Sequence, residues 1–164
     1  MNPDRRSGPH RAFDAAARSL LRAGFPLLKL WWWLARPTLE GVYVAVRCGE
    51  EVLLIRNSYR ASYSFPSGRR GRRETPAIAA ARELHEEVGI AVSPDRLRHV
   101  AEVLLATRLV DDHVHVFELE LEEPPALRID HREVVWAAFE APERARQRAL
   151  LPVVRRYLEG TLDV

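Results

Sequence analysis

Apolar and polar positions follow two rhythms along this chain, one of helical period and one that alternates. Between His10 and Ala23, the apolar residues Phe13, Ala16, Leu20 and Leu21 recur at helical spacing, and Gly24 supplies a stop. Pro26 opens a second short helical piece, PLLKLWWWLA, which ends before Pro37. The pattern then shortens. Gly41 to Arg47 and Val52 to Arg56 are aliphatic, β-branched runs separated by CGEE, which predicts a hairpin. NSYRASYSFPSGRRGRRE reads as a long turn-rich loop. Thr75 is a good N-cap with Pro76 at the first helical position, and Gly89 closes a helix that runs to about Val88. Two longer strands follow, roughly Arg98 to Arg108 and His113 to Glu122, joined at LVDD. Beyond Pro124 and Pro125 a short strand is expected from Glu133 to Phe139, then a last helix from about Pro142 towards Glu159, with a break at Pro152.

This order predicts an α+β chain, an α/β/α sandwich whose mixed sheet is flanked by helices. The first 36 residues are expected to form a separate helical extension, and the main domain to span residues 37–164. Trp31, Trp32 and Trp33 would pack the extension onto that domain, because aromatic rings bring large apolar area. The competing use for WWWLA is contact with a membrane surface or a partner.

A chain of 164 residues is long enough to bury a core of its own. A formal charge of +2 gives no overall field for nucleic acid, so no nucleic-acid partner is expected. The apolar stretch Ala23 to Ala35 is short and broken by Pro26 and Lys29, which argues against a membrane span. One cysteine, Cys48, excludes an intrachain disulfide and fits a reducing, cytoplasmic setting.

Candidate chemistry concentrates on the helix after Thr75. At about 100° per residue, Ala77, Ala81, Leu84 and Val88 fall on one stripe, the expected buried face. Glu83, Glu86 and Glu87 fall together on another flank. Like charges at these spacings cost a helix about 0.2–0.5 kcal/mol per pair, and the last turn disfavours anions. A solvated acidic face would tolerate that cost, whereas a bound divalent cation would remove it. Oxygen donors without a His or Cys cluster suit Mg²⁺ or Mn²⁺.

The spacing adds to this. Gly68, Glu74, Arg82, Glu83, Leu84, Glu86, Glu87, Gly89 and Ile90 fill every defined position of G-x5-E-x7-R-E-U-x-E-E-x-G-U, where U is a bulky aliphatic residue. The segment resembles the box of the Nudix hydrolase family, and SYSFPSG looks like that family's approach to it. The resemblance covers roughly Gly41 to Leu158. It implies a metal-dependent hydrolase with Mg²⁺ or Mn²⁺ as cofactor, cleaving a pyrophosphate linkage in a nucleoside diphosphate joined to another group. It also implies metal ligation by Glu83, Glu86 and Glu87 and by the backbone carbonyl of Ser67, with the position of Glu83 serving as base in some relatives. Arg82 would hold a carboxylate, Glu74 or Glu86, in orientation. Glu133, before the last strand, is the best candidate for an additional acid, against the alternative of an ordinary strand-end acid.

The chain departs from the family pattern at two places. Ser67 replaces the first of two usual glycines, and RRGRR, Arg69 to Arg73, puts Gly71 where an acid is usual and adds four guanidiniums. Arg69 and Arg70 are candidate phosphate contacts beside Arg56, against the alternative that this charge is only solvated. Arg56 and Tyr59 lie where substrate would enter. His113 and His115 share one side of their strand and are expected to be ordinary polar partners. The expected partner is a nucleotide-type small molecule, and a homodimer is compatible with the sequence. A non-catalytic module of the same fold that senses a nucleotide is the alternative, which the intact acids disfavour.

Overall fold

The computed structural model describes residues 39–106 and 111–162. The helical extension expected over the first 36 residues, with its three Trp, lies outside them. Among these residues, seven strands and three helices follow one another. Strand β1 (Leu39–Cys48) and strand β2 (Glu51–Asn57) form the expected hairpin around Gly49, whose φ of 57° suits a glycine turn. Two short strands come next, β3 (Tyr63–Ser64) and β4 (Ser67–Arg69). Helix α1 (Pro76–Val88) precedes a 3₁₀ turn at Pro94–Arg96. Strands β5 (Arg98–Ala106), β6 (Asp111–Leu121) and β7 (Val134–Glu140) complete the sheet. The C-terminal helical stretch is split, as Pro152 suggested, into α2 (Pro142–Arg146) and α3 (Pro152–Leu158).

The sheet is mixed. Its path runs β3-β2-β1-β6-β5, with β7 on the far side of β2 and β4 on β1. Strand β6 runs parallel to β1 along the whole of Leu39–Cys48, whereas β1 and β2 pair only at the hairpin mouth, Arg47 with Val52 and Cys48 with Glu51. Beyond that point they part. Strand β4 takes the freed edge of β1 at Gly41–Tyr43, and β3 takes that of β2 at Ile55 and Arg56. The connection expected to be all loop therefore carries two strands. They are only two and three residues long, with Pro66 between them, so neither shows an alternating pattern that a sequence can display.

Helices cover both faces, giving the expected sandwich. On one face Val42, Val44, Val46, Leu53, Ile55, Phe117, Leu119 and Val134 pack under Ala79, Ala80, Leu84 and Val88 of α1. On the other, Ala45, Leu54, Phe65, Val114 and Val116 pack under Ala145, Val153, Val154 and Leu158. The two rows alternate along β1 and β2, as a strand buried on both faces requires.

Helix α1 is rotated from the expected stripe. Leu84 and Val88 are fully buried as expected, but Ala79 and Ala80 join them, while Ala77 and Ala81 are only partly covered. The buried arc is centred between Ala80 and Leu84, and that turn brings Glu87 inside it. Periodicity assigned the alanines by spacing alone; contact with β1 and β4 decides which of them face the sheet.

Candidate active site

Thr75 starts α1 by accepting a hydrogen bond at Oγ1 from Ile78 N, at 3.3 Å, and Pro76 occupies the first turn. Gly89 ends it at φ 76°, with Gly89 N donating to His85 O and Ile90 N to Leu84 O. A Cβ at Gly89 would lie 2.9 Å from Cβ of Arg128, so conformation and space both ask for glycine. This cap fixes where the last turn stops, and with it the directions of Glu86 and Glu87.

Gly68 on β4 is a second glycine set by close approach. A Cβ there would fall 1.9 Å from the carboxyl carbon of Glu83, so that carboxylate lies directly against the β4 backbone. Glu87 is deeper, at 6% exposure. Its Oε2 accepts the backbone N–H of Ser67 at 2.8 Å, and its Oε1 lies 3.4 Å from Asn57 Nδ2. Burial, then the nearby charges of Glu133 and Glu83, push the Glu87 carboxyl up to about 8, against the opposing pull of the Ser67 and Asn57 donors. Glu83 is also raised, by burial first, with Arg82 pulling the other way.

Arg82 organises the outer acids. Its Nε and Nη2 meet Glu74 Oε1 and Oε2 at 2.8 and 3.1 Å, a bidentate pair. Nη1 reaches Glu83 Oε1 at 2.7 Å and Glu86 Oε2 at 3.1 Å, and Nη2 also donates to the Arg69 carbonyl at 2.9 Å. The Arg82 hydrogen bonds, then the Gly71 N–H, hold Glu74 down to about 2. The acids predicted as partners of Arg82, Glu74 and Glu86, are both engaged, and Glu83 makes a third.

Glu133 lies just before β7 and enters the same cluster from the opposite wall: its charge raises both Glu83 and Glu87. Its Oε1 accepts from Tyr59 OH at 3.1 Å. The structure thus gathers Glu74, Arg82, Glu83, Glu86, Glu87, Ser67 and Glu133. The arginines are placed differently. Arg70 is paired with Glu40 and donates from Nη1 to the Glu74 carbonyl at 2.8 Å, bracing the loop. Arg69, Arg72 and Arg73 are exposed. Arg56 alternates away from Ile55 and Asn57, and its guanidinium lies 5.9 Å from the Tyr63 ring centre, on the α2 and α3 side of the sheet. His115 Nδ1 lies 3.3 Å from His99 Nε2, and His113 3.5 Å from Glu102, so both histidines have polar partners away from the acids.

One residue of this site escaped the sequence reading. Asn57, 4% exposed, lies on the row of Leu53 and Ile55 and supplies a donor to Glu87. The signal was available: alternation along β2 places a lone amide on the buried face.

The donor set suits a hard cation. Half-buried and buried carboxylates that raise one another's pKa are short of positive charge, and oxygen is the only donor present. Among the described residues no three His, Cys, Asp or Glu side chains are already arranged about one point as a metal cage. Arg82 takes a place between Glu83 and Glu86 instead. No helix among the described residues is long and apolar enough to cross a membrane.

A family model described as NUDIX domain matches residues 37–158. No curated protein matches the sequence significantly. Among solved structures, a MutT protein from Methanosarcina mazei is 20% identical with a TM-score of 0.66, over 77% of this chain and 94% of that one. An Ap4A hydrolase from C. elegans, in a binary complex, is 20% identical with a TM-score of 0.63, over 74% of this chain and 93% of that one. A bifunctional NMN adenylyltransferase/ADP ribose pyrophosphatase from Francisella tularensis, complexed with AMP and a Mn ion, is 16% identical with a TM-score of 0.65. There the match spans 87% of this chain and 48% of the larger protein. At these identities the likeness is one of fold.

Proposed function

The chain belongs to the Nudix hydrolase family, and from that premise we propose that it hydrolyses a phosphoric anhydride in a nucleoside diphosphate linked to another group, using Mg²⁺ or Mn²⁺. The observation that carries this reading is the gathering of buried Glu87, partly buried Glu83 against the Gly68 backbone, and exposed Glu133 on the opposite wall, whose charge adds to burial in raising the pKa of the other two. Burying such charge without a partner is costly, and a structural role would be served as well by apolar side chains. The metal found with the Francisella protein and the phosphoanhydride named in both hydrolases agree with it.

Glu83, Glu86, Glu87 and the Ser67 carbonyl would hold the ion. When bound, the cation neutralises pyrophosphate charge and makes water a better nucleophile at neutral pH. The chain's own residues do the rest. Arg82, anchored by Glu74, holds Glu83 and Glu86 beside each other. The Ser67 N–H fixes one oxygen of Glu87. Glu133, on the opposite wall, is placed to accept a proton, as is Glu83, which burial makes more basic than an ordinary carboxylate. Exposed Arg69, Arg72 and Arg73 can meet the substrate's phosphates as it enters, whereas Arg56 points to the other face of the sheet. Arg70 acts on substrate only if it leaves Glu40.

Incubating the protein with nucleoside triphosphates, ADP-ribose, dinucleoside polyphosphates, NADH and nucleotide sugars, with Mg²⁺ and Mn²⁺ separately, tests the reading. Turnover of at least one compound at a phosphoanhydride is expected; binding without turnover would favour a sensing module.

A further inference from the structure

Three consecutive residues at the end of β2 reach both walls of the site. Asn57 ends the buried row that contains Leu53 and Ile55, yet it carries an amide, which is costly to bury unless it is bonded. Its Nδ2 lies 3.4 Å from Glu87 Oε1, while the Ser67 N–H holds the other oxygen, so each oxygen of that carboxylate has its own donor. The backbone N–H of Ser58 donates to the Glu133 carbonyl at 2.7 Å. Tyr59 OH then donates to Glu133 Oε1 at 3.1 Å. Burial and the Glu133 carboxylate both push the Tyr59 phenol up, so it keeps its proton and remains a donor.

The backbone explains how three neighbours can do this. Pairing between β2 and β7 shifts register between Arg56 and Asn57: Arg56 pairs with Trp136, and Asn57 with Val134. The skipped residue is Val135, so the bulge belongs to β7, where it bends the strand and re-aims the side chains beside it, two residues after Glu133. Asn57 makes the last pair of β2, and Ser58 and Tyr59 continue past it to Glu133.

We propose that Asn57 and Tyr59 are positioning residues that act through Glu87 and Glu133 respectively, and that the segment joining them sets the distance between those two acids. Asn57 holds one oxygen of Glu87 and Tyr59 one oxygen of Glu133, on opposite walls of the site. Left free, either acid's side chain could take another rotamer, and each turnover would have to bring it back. A neutral amide and a neutral phenol hold them in place without cancelling the negative charge a cation needs. This is preorganisation by uncharged donors, and partners of this kind typically matter by about 10- to 100-fold in metal affinity or activity. The proposal rests on the function given above, since the separation of the two acids matters only if both serve the reaction.

The test uses the full-length protein, with Asn57→Leu, Tyr59→Phe, Glu87→Gln and Glu133→Gln made singly and as the pairs Asn57/Glu87 and Tyr59/Glu133. Binding of Mn²⁺ alone is followed by its EPR signal, steady-state rates use the panel compound turned over fastest, and melting without metal checks folding. Asn57→Leu is expected to weaken Mn²⁺ roughly 10-fold, and to add less than about two-fold in the Glu87→Gln background. Tyr59→Phe is expected to lower kcat roughly 10-fold at nearly constant KM, and to add nothing to Glu133→Gln. If Asn57→Leu melts below the assay temperature, Asn57→Ser replaces it. Wild-type Mn²⁺ affinity and kcat in Asn57→Leu and Tyr59→Phe, or losses that multiply with those of the acids, would overturn the proposal while leaving the acids' roles intact. Wild-type behaviour of Glu87→Gln and Glu133→Gln themselves would instead overturn the functional reading beneath it.

Discussion

Replacing Glu87 with Gln separates a buried, metal-seeking carboxylate from one that is merely solvated. In the metal-free fold its carboxyl titrates at about 8 instead of the ordinary 4.5, chiefly because it is buried. A raised value means that between these pH values the folded chain keeps a proton that the unfolded chain has released. The associated stability is complete below about pH 4.5, declines as pH rises, and is gone above about pH 8. The full difference corresponds to about 5 kcal/mol, an upper limit because the chain relaxes around the charge. Gln carries no such proton. Its oxygen can accept the Ser67 N–H in place of Glu87 Oε2, and Asn57 can turn its own oxygen towards the new amide. Urea unfolding in chelator should therefore find Glu87→Gln within about 1 kcal/mol of wild type at pH 5 and several kcal/mol more stable at pH 9. With saturating Mg²⁺ the order changes. Wild type gains about 2.7 kcal/mol at a metal concentration 100 times its Kd, the variant gains little, and kcat falls roughly 100-fold. Parallel stability profiles in chelator, with an unchanged kcat in metal, would refute the argument.

Other variants probe the remaining parts of the site. Gly68→Ala puts a methyl where the Glu83 carboxylate lies, so it should cost roughly 100-fold in kcat, whereas Gly71→Ala, facing only the end of Glu74, should cost far less; comparison of the two rates checks this. Arg72→Ser with Arg73→Ser should raise KM several-fold and flatten its dependence on salt, while Arg70→Ser, which breaks the Glu40 pair, should show first as a lower melting temperature. Deleting residues 1–36 should lower stability or solubility if the Trp-rich segment packs on the domain; an equally stable, active, soluble truncation would make it an accessory arm.

Much of this arrangement was legible before any coordinates. The spacing from Gly68 to Ile90 located the helix, its cap and the acids, because a cap residue, acids three and four residues apart and a terminal glycine are local signals. Depth was not legible. Repulsion among Glu83, Glu86 and Glu87 on an exposed helix would be a matter of tenths of a kcal/mol, whereas the rotation of α1 buries Glu87 and makes desolvation dominant. Long-range partners were hidden for a different reason. Tyr59 and Glu133 are 74 residues apart, and only the pairing of β2 with β7 brings them together. The charge of Arg70 allows either a phosphate contact or a solvated side chain, while its pairing with Glu40 depends on β4 lying beside β1, and β4 is too short to be seen in a sequence.

The central claim is that these carboxylates serve a metal-dependent cleavage of a phosphoric anhydride. The most direct measurement is product analysis by ³¹P NMR on the panel compound with the fastest turnover, in Mg²⁺, in Mn²⁺ and in excess chelator, for wild type and Glu83→Gln. The account predicts cleavage at a phosphoanhydride only when metal is present, with little or none in Glu83→Gln. Equal turnover in chelator, or a Glu83→Gln protein as active as wild type, would contradict it.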